Sequence, residues 1–309
     1  MFKNTFYQLF ICSIFIFIGC NRIPNQQKLT PYLVVLGTLQ DAGYPHINYP
    51  AEFKDTNKAY LVTSLALVDV STNSKWLFEA TPDMPRQLYD LESKHLKSDK
   101  IIDGVFLTHA HIGHYTGLMY FGREAMGARA IDVYAMPKMK TFLETNGPWS
   151  QLVKLENIKI NSLEKEKPLY LNKKIQVVPF LVPHRDEYSE TVGYKIIGPN
   201  KTALFIPDIN KWTLWERDLV SELKKVDVAF LDATFLAEGE ISRPMSEVPH
   251  PFIQETVSLL ENQPKSIKAK VIFIHFNHSN PVIKVTNKKR KHLEKLGFQF
   301  AIRGAVFPI

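Results

Sequence analysis

Leu107-Thr108-His109-Ala110-His111-Ile112-Gly113-His114 decides the reading of this 309-residue chain. The stretch closes a strand-like run, Gly104–Leu107, so His109 and His111, two residues apart on extended backbone, project to the same side. A turn then brings His114 towards them. Imidazole is a preferred zinc ligand, and three such nitrogens can converge on one or two ions at ~2.0–2.1 Å. The chain has 10 histidines, and this short stretch at a strand's end holds three of them, a poor fit to scattered surface residues.

Working outward, strands and helices alternate. Upstream, Tyr32–Gly37 is a continuous apolar run ended by a glycine, as in a buried strand. Tyr60–Val70 and Trp76–Ala80 are strand-like runs separated by the turn segment Ser71–Ser74. A helix is expected after Thr81-Pro82-Asp83, with Thr81 as cap and Pro82 at the first helical position. Downstream, strands are predicted over 131–135, 158–163, 175–182, 191–197, 201–206, 226–232 and 270–275. Helices are predicted over 137–145, 212–224, 252–261 and 285–296, and a closing strand over 298–306. Strand runs flanked by helices in both halves predict a layered α/β protein. No internal repeat or low-complexity block interrupts them.

The histidine stretch resembles the His-x-His-x-Asp-His signature of the metallo-β-lactamase superfamily, and the resemblance runs from Tyr32 to Ile309. It implies an αββα sandwich, two facing mixed sheets with outer helices, over residues 32–309. It also implies further landmarks, each after a strand-like run. His184 matches a metal ligand, Asp208 the carboxylate that bridges two ions, and His275 the last ligand, with His278 as its alternative. Asp69 matches the structural Asp that braces the metal loop, or else is a turn residue before Ser71. One departure stands out: Gly113 replaces the Asp that normally ligates the second ion. The second site would then keep His114, Asp208 and His275, with solvent completing the shell. One or two zinc ions are expected, with iron or manganese as other candidates.

Two narrower likenesses follow. Asp232-Ala-Thr-Phe235 and, after a loop, His250-Pro-Phe-Ile-Gln-Glu-Thr256 resemble the ribonuclease Z branch. There an acidic residue pairs with a histidine that donates a proton to the leaving group; a helix-capping His250 and a strand-end Asp232 are the alternative. Leu36–Pro45 and His275–Pro281 are similar to the coenzyme PQQ biosynthesis protein B family, which shares the fold.

The N-terminus carries a separate signal. Lys3 precedes an apolar stretch, Leu9–Gly19, too short for a bilayer core that needs ~20 residues. It suits an export signal over residues 1–19. Phe17-Ile18-Gly19-Cys20 resembles the lipobox of bacterial lipoproteins, though Phe17 departs from the usual Leu. The resemblance implies a lipidated Cys20, a tether over residues 20–31 and a membrane-anchored exported protein. Cys12 and Cys20 are the only cysteines, so cleavage would leave no disulfide and no thiolate ligand.

Hydrophobic residues make up 45% and charged residues 22%, enough to bury whole sheets. The net charge of +7 is scattered apart from Lys288-Lys289-Arg290-Lys291, which reads as a solvated helix face. No specific DNA-reading element occurs. The expected activity is metal-assisted hydrolysis of a phosphodiester or other ester, with Asp208 orienting the attacking water and Asp232 with His250 protonating the departing oxygen. Its rivals are oxidation or hydroxylation at a bound iron, and a surface lipoprotein that binds without catalysis.

Overall fold

Successive side chains of a strand point to opposite faces. In β1 (Tyr32–Gly37) Leu33 and Val35 enter one buried cluster, while Val34 and Leu36 enter another. Strands apolar on both faces need a layer on each side, and this requirement sets the architecture. The computed structural model describes residues 30–54 and 60–309.

β1 lies in a seven-stranded sheet with β2 (Ser64–Asp69), β3 (Ser74–Phe78), β4 (Gly104–Phe106), β5 (Ile131–Ala135), β6 (Ile158–Ser162) and β14 (Val306–Pro308). Its order is β14-β1-β2-β3-β4-β5-β6. The second sheet, also of seven strands, contains β7 (Leu169–Tyr170), β8 (Gln176–Leu181), β9 (Val192–Ile197), β10 (Thr202–Ile206), β11 (Val228–Asp232), β12 (Val271–Ile274) and β13 (Gln299–Phe300). Its order is β13-β12-β11-β10-β9-β8-β7. Both sheets are mixed: β3 to β6 run parallel, and so do β10 to β13.

Between the sheets lies one aromatic-rich layer. Phe78 and Phe106 from the first sheet meet Tyr194 and Phe205 from the second, with ring centroids 5.5–6.2 Å apart. Outside the first sheet pack α1 (Met84–Lys94), α3 (Pro137–Thr145) and α4 (Trp149–Lys154), through Leu88, Leu91, Met139 and Leu152. Outside the second pack α5 (Leu219–Lys224), α6 (Ile253–Leu259) and α8 (Lys288–Leu296), through Leu223, Ile253 and Leu293. The αββα sandwich is as expected.

Local differences have local causes. The first helix begins at Met84, with Asp83 at its cap position and Pro85 in its first turn, not at Pro82. Asp83 is held elsewhere, its carboxylate accepting from Val62 N at 2.8 Å. The predicted helix over 212–224 is a 3₁₀ turn, Trp212–Leu214, followed by α5, whose cap Asp218 accepts from Ser221 N. The expected closing strand is two short ones in different sheets, because Gly304, at φ 88°, turns the chain from β13 across to β14. Among the described residues, no helix is long and apolar enough to cross a membrane. The proposed signal segment, Cys20 and the tether up to residue 29 lie outside the described residues.

Parallel neighbours end at the same edge of a sheet, where loops can gather functional groups. The segments after β3 and β4, and those after β10, β11 and β12, therefore open on one side of the sandwich. The functional residues lie there.

Candidate metal centre

His109 and His111 follow β4, and His111 is the cap residue of the short helix α2 (Ile112–Tyr115) that carries His114. The second sheet braces this stretch. Val192 N donates to Thr108 O, Ser189 Oγ accepts from Ala110 N at 2.8 Å, and the buried Tyr194 hydroxyl donates to Leu107 O at 2.5 Å. From the second sheet come His184 after β8, Asp208 after β10, Asp232 at the end of β11 and His275 directly after β12. His250 stands just before α6. His275 holds φ at 67°, an uncommon value for a residue with a Cβ, and such strain persists where surroundings over-determine it.

These residues form three overlapping groups whose ligand atoms lie within 4.8 Å of one another: His109, His111, His184 and Asp208; Asp41, His114, Asp208 and His275; and Asp208, Asp232, His250 and His275. Asp208 belongs to all three. Its Oδ2 is 3.3 Å from His109 Nε2 and 3.5 Å from His114 Nε2, and its Oδ1 is 3.3 Å from His184 Nε2. All six expected ligands are thus brought together. His275 rather than His278 completes the set, since His278 turns away to Glu52 at 2.8 Å and stacks on His46.

The residues fit a metal. Both ring nitrogens of His184 are buried without a hydrogen-bond partner, which is costly unless something else satisfies them. His109 Nε2 and His111 Nδ1 lie 2.8 Å apart, near enough for both to reach one ion. Imidazole with carboxylate suits zinc, and also iron or manganese.

Outer contacts aim these lone pairs. Thr108 Oγ1 donates to Glu79 Oε1 at 2.6 Å, so it must accept from His109 Nδ1 at 2.9 Å. His109 then carries its proton on Nδ1 and leaves Nε2 free to face Asp208. Thr234 repeats the device: its hydroxyl donates to Asp232 Oδ1 at 2.7 Å and accepts from His275 Nδ1 at 2.9 Å. Such partners fix tautomer and ring orientation.

Two expectations need correction. Asp69 does not brace the metal loop. It closes the β2–β3 turn, accepting from Ser71 N, Ser71 Oγ and Thr72 Oγ1, and Asn172 donates to it as well. Glu79, after β3, is the brace: besides Thr108 it stands 3.2 Å from His114 Nδ1. A signal existed, because β3 is parallel to β4 and ends beside it, whereas β2 runs the other way. The second group also has a neighbour that the expected set lacked. Asp41, from the loop after β1, places Oδ1 3.0 Å from His114 Nε2 and 3.3 Å from His275 Nε2. Sequence reasoning missed it.

The expected Asp232–His250 pair forms: His250 Nδ1 is 2.9 Å from Asp232 Oδ2 and 3.0 Å from Asp208 Oδ1. Burial alone would lower the His250 pKa, but Asp232 and then Asp208 raise it to about 10. His184 goes the other way. Burial first, then the neighbouring His250 and His111, lower it to about 4, against the pull of Asp208. Burial opposes ionisation of Asp208, yet His184, His250 and His275 hold its carboxyl well below the usual range. Without metal the centre is therefore a web of charged and neutral imidazoles around anionic carboxylates.

Comparison with known proteins shows the family and the fold. The family described as "Beta-lactamase superfamily domain" matches residues 75–276. The chain is 26% identical to coenzyme PQQ synthesis protein B of Gluconobacter oxydans, over 89% of this chain and 97% of that protein. The crystal structure of Zn²⁺-bound PqqB from Methylobacterium extorquens superposes with a TM-score of 0.72 at 19% identity, covering 90% of this chain and all of that one. Human tRNase Z, short form, is similar at a TM-score of 0.58 and 14% identity, over 90% of this chain and all of that one. At such identities the two structures speak for the fold.

Proposed function

This chain belongs to the beta-lactamase superfamily, and from that premise we propose that it is a metal-dependent hydrolase of phosphodiester or other ester substrates. The observation that carries the reading is Asp208, whose two oxygens face imidazoles of two adjoining groups. His109, His111, His184 and Asp208 would hold one zinc ion; His114, Asp208 and His275 belong to the second group. Bound there, divalent ions supply Lewis acidity towards a carbonyl or phosphoryl oxygen and a water of lowered pKa.

The chain's own residues do the rest. Asp208 spans the two groups and orients the attacking water. His250 turns Nδ1 to Asp232 and Asp208, which leaves Nε2 to hold the proton passed to the departing oxygen. Asp232 is fully buried and also accepts from Ile209 N, Thr234 N and Thr234 Oγ1, so it keeps His250 oriented. On the open side, His111 lies 3.2 Å from the half-exposed Glu187, marking where a substrate would approach.

The test is a screen of phosphodiester and ester substrates with purified protein, before and after chelation. Activity should vanish with the metal and return with zinc. Full activity in His109→Ala/His111→Ala would overturn the proposal. A second reading, by analogy with the family of PQQ synthesis protein B that the chain resembles, is oxidation or hydroxylation of a peptide or small molecule at a bound iron. Iron in the purified protein and oxygen consumption with substrate would select it.

The proposal extends to location: export, with the chain held at a membrane through acylated Cys20. Its support is the residue pattern at 9–20 alone. Labelled fatty acid should be incorporated in cells and lost in Cys20→Ala.

A further inference from the structure

Position 113 has no side chain, and the space in front of it is filled from elsewhere. A Cβ on Gly113 would lie 2.4 Å from Asp41 Cα and 2.6 Å from Asp41 Cγ. A carboxylate at 113 and Asp41 in its present place are mutually exclusive. The chain has the second and lacks the first.

The backbone explains how Asp41 arrives there. Past β1 the chain does not turn back at once. Leu39 forms isolated parallel bridges with Val62 and with Phe276, the residue after His275. Phe276 N donates to Thr38 O at 2.8 Å, and Gln40 N donates to Phe276 O at 2.9 Å. Leu39 is fully buried in the outer core of the second sheet. The loop is thus stitched to the segment that carries His275, and two residues later Asp41 faces His275 and His114. Gly113 N lies 3.4 Å from Asp41 Oδ2, a further tie to the histidine stretch.

We propose that Asp41 is a ligand of the second metal ion, replacing the carboxylate absent at position 113, and that this ion pins the Gln40–Lys54 loop against both sheets. The proposal rests on the metal-centre reading above. His114, His275 and Asp208 supply the remaining donors, with Asp208 Oδ2 3.5 Å from His114 Nε2 and 3.9 Å from His275 Nε2. The loop has weaker ties of its own: Glu52 meets His278 and accepts from His46 N, and His46 stacks on His278 at 4.1 Å between ring centroids. The ion would couple this loop to the catalytic edge.

The experiment titrates zinc into metal-free full-length protein, with stoichiometry from elemental analysis and hydrogen exchange followed over residues 40–54. Wild type should bind two ions. Asp41→Asn should keep the first and lose the second, or bind it at least ~100-fold more weakly, more than loss of an outer partner usually costs. Its loop amides should exchange faster than those of zinc-loaded wild type. Gly113→Ala removes no polar group, yet its methyl would displace Asp41, so it should reproduce both effects. It also decides the matter should Asp41→Asn fail to fold. Two ions held with unchanged affinity in both variants would overturn the assignment and leave the hydrolase reading intact. A single ion in wild type, with hydrolysis retained, would do the same. Full activity without metal would sink both.

Discussion

Thr108 and Thr234 occupy equivalent places in opposite sheets. Each lies two residues past the end of a strand, and each sets its hydroxyl between a buried carboxylate and the Nδ1 of a histidine facing Asp208. A hydroxyl has one proton to give. Donating it to Glu79 or Asp232 obliges it to accept from the imidazole, and the imidazole's other nitrogen is left with its lone pair. The tautomer of His109 and of His275 is therefore set one residue away from the ring itself.

Replacing either threonine with valine keeps the shape and removes the relay. Zinc affinity should fall ~10–100-fold in Thr108→Val and in Thr234→Val. Thr108→Ser and Thr234→Ser should recover most of it. Competition with a chromophoric chelator reads the change, and unaltered affinity in the valine variants would refute the relay.

His250 acts, in the proposed reading, only when a proton is needed by the departing oxygen. His250→Ala should lower kcat by ~10²–10⁴ on substrates with poor leaving groups. A nitrophenolate leaving group needs no such proton, so the loss there should be small. Equal losses on both substrate types would assign His250 to structure instead. Zinc content should stay at the wild-type level.

The metal-free protein should be most stable near neutral to slightly acidic pH. His184 sits at about 4, chiefly through burial, so between about 4 and its ordinary 6.5 the unfolded chain takes up a proton that the fold refuses. Stability falls as pH drops through that window, and the depressed carboxyls of Asp41 and Asp208 act in the same direction at lower pH. His250, held at about 10 against burial by Asp232 and Asp208, contributes fully below 6.5, and its share is lost as pH rises towards 10. Urea midpoints of chelated protein at pH 4.5, 6.5 and 9 test this. A curve that rises or falls steadily across the range would contradict it.

Tyr194 is fully buried, and its hydroxyl is the donor to Leu107 O at the root of the histidine stretch. Tyr194→Phe leaves that carbonyl unpaired in the inter-sheet layer. A destabilisation of ~1–3 kcal/mol is expected in denaturant unfolding. Zinc affinity should fall with it, because the strand end that presents His109 and His111 loses its anchor.

The main-chain pattern and most of the centre were legible in the residues themselves. Strands apolar on both faces require covering layers, and ligands placed directly after such strands must emerge at a sheet edge. His109, His111, His184, Asp208, Asp232 and His275 carry that local mark, whereas His114 sits on the short helix that follows and His250 before α6. The roles of His184, Asp208, Asp232, His250 and His275 came from the family resemblance. Asp69 misled because it too ends a strand. The β2–β3 hairpin is antiparallel, so Asp69 pairs with Ser74 at the turn, while Glu79 ends the strand that runs parallel to β4.

Asp41 had no local mark. It lies in an irregular loop 72 residues before Gly113 and 234 before His275. Its place depends on Leu39 bridging to Val62 and Phe276, contacts that exist only once the two sheets have packed. Periodicity and spacing record what a residue does to its neighbours along the chain. Which distant carboxylate fills the space before a glycine is decided by packing, because no two atoms can share it.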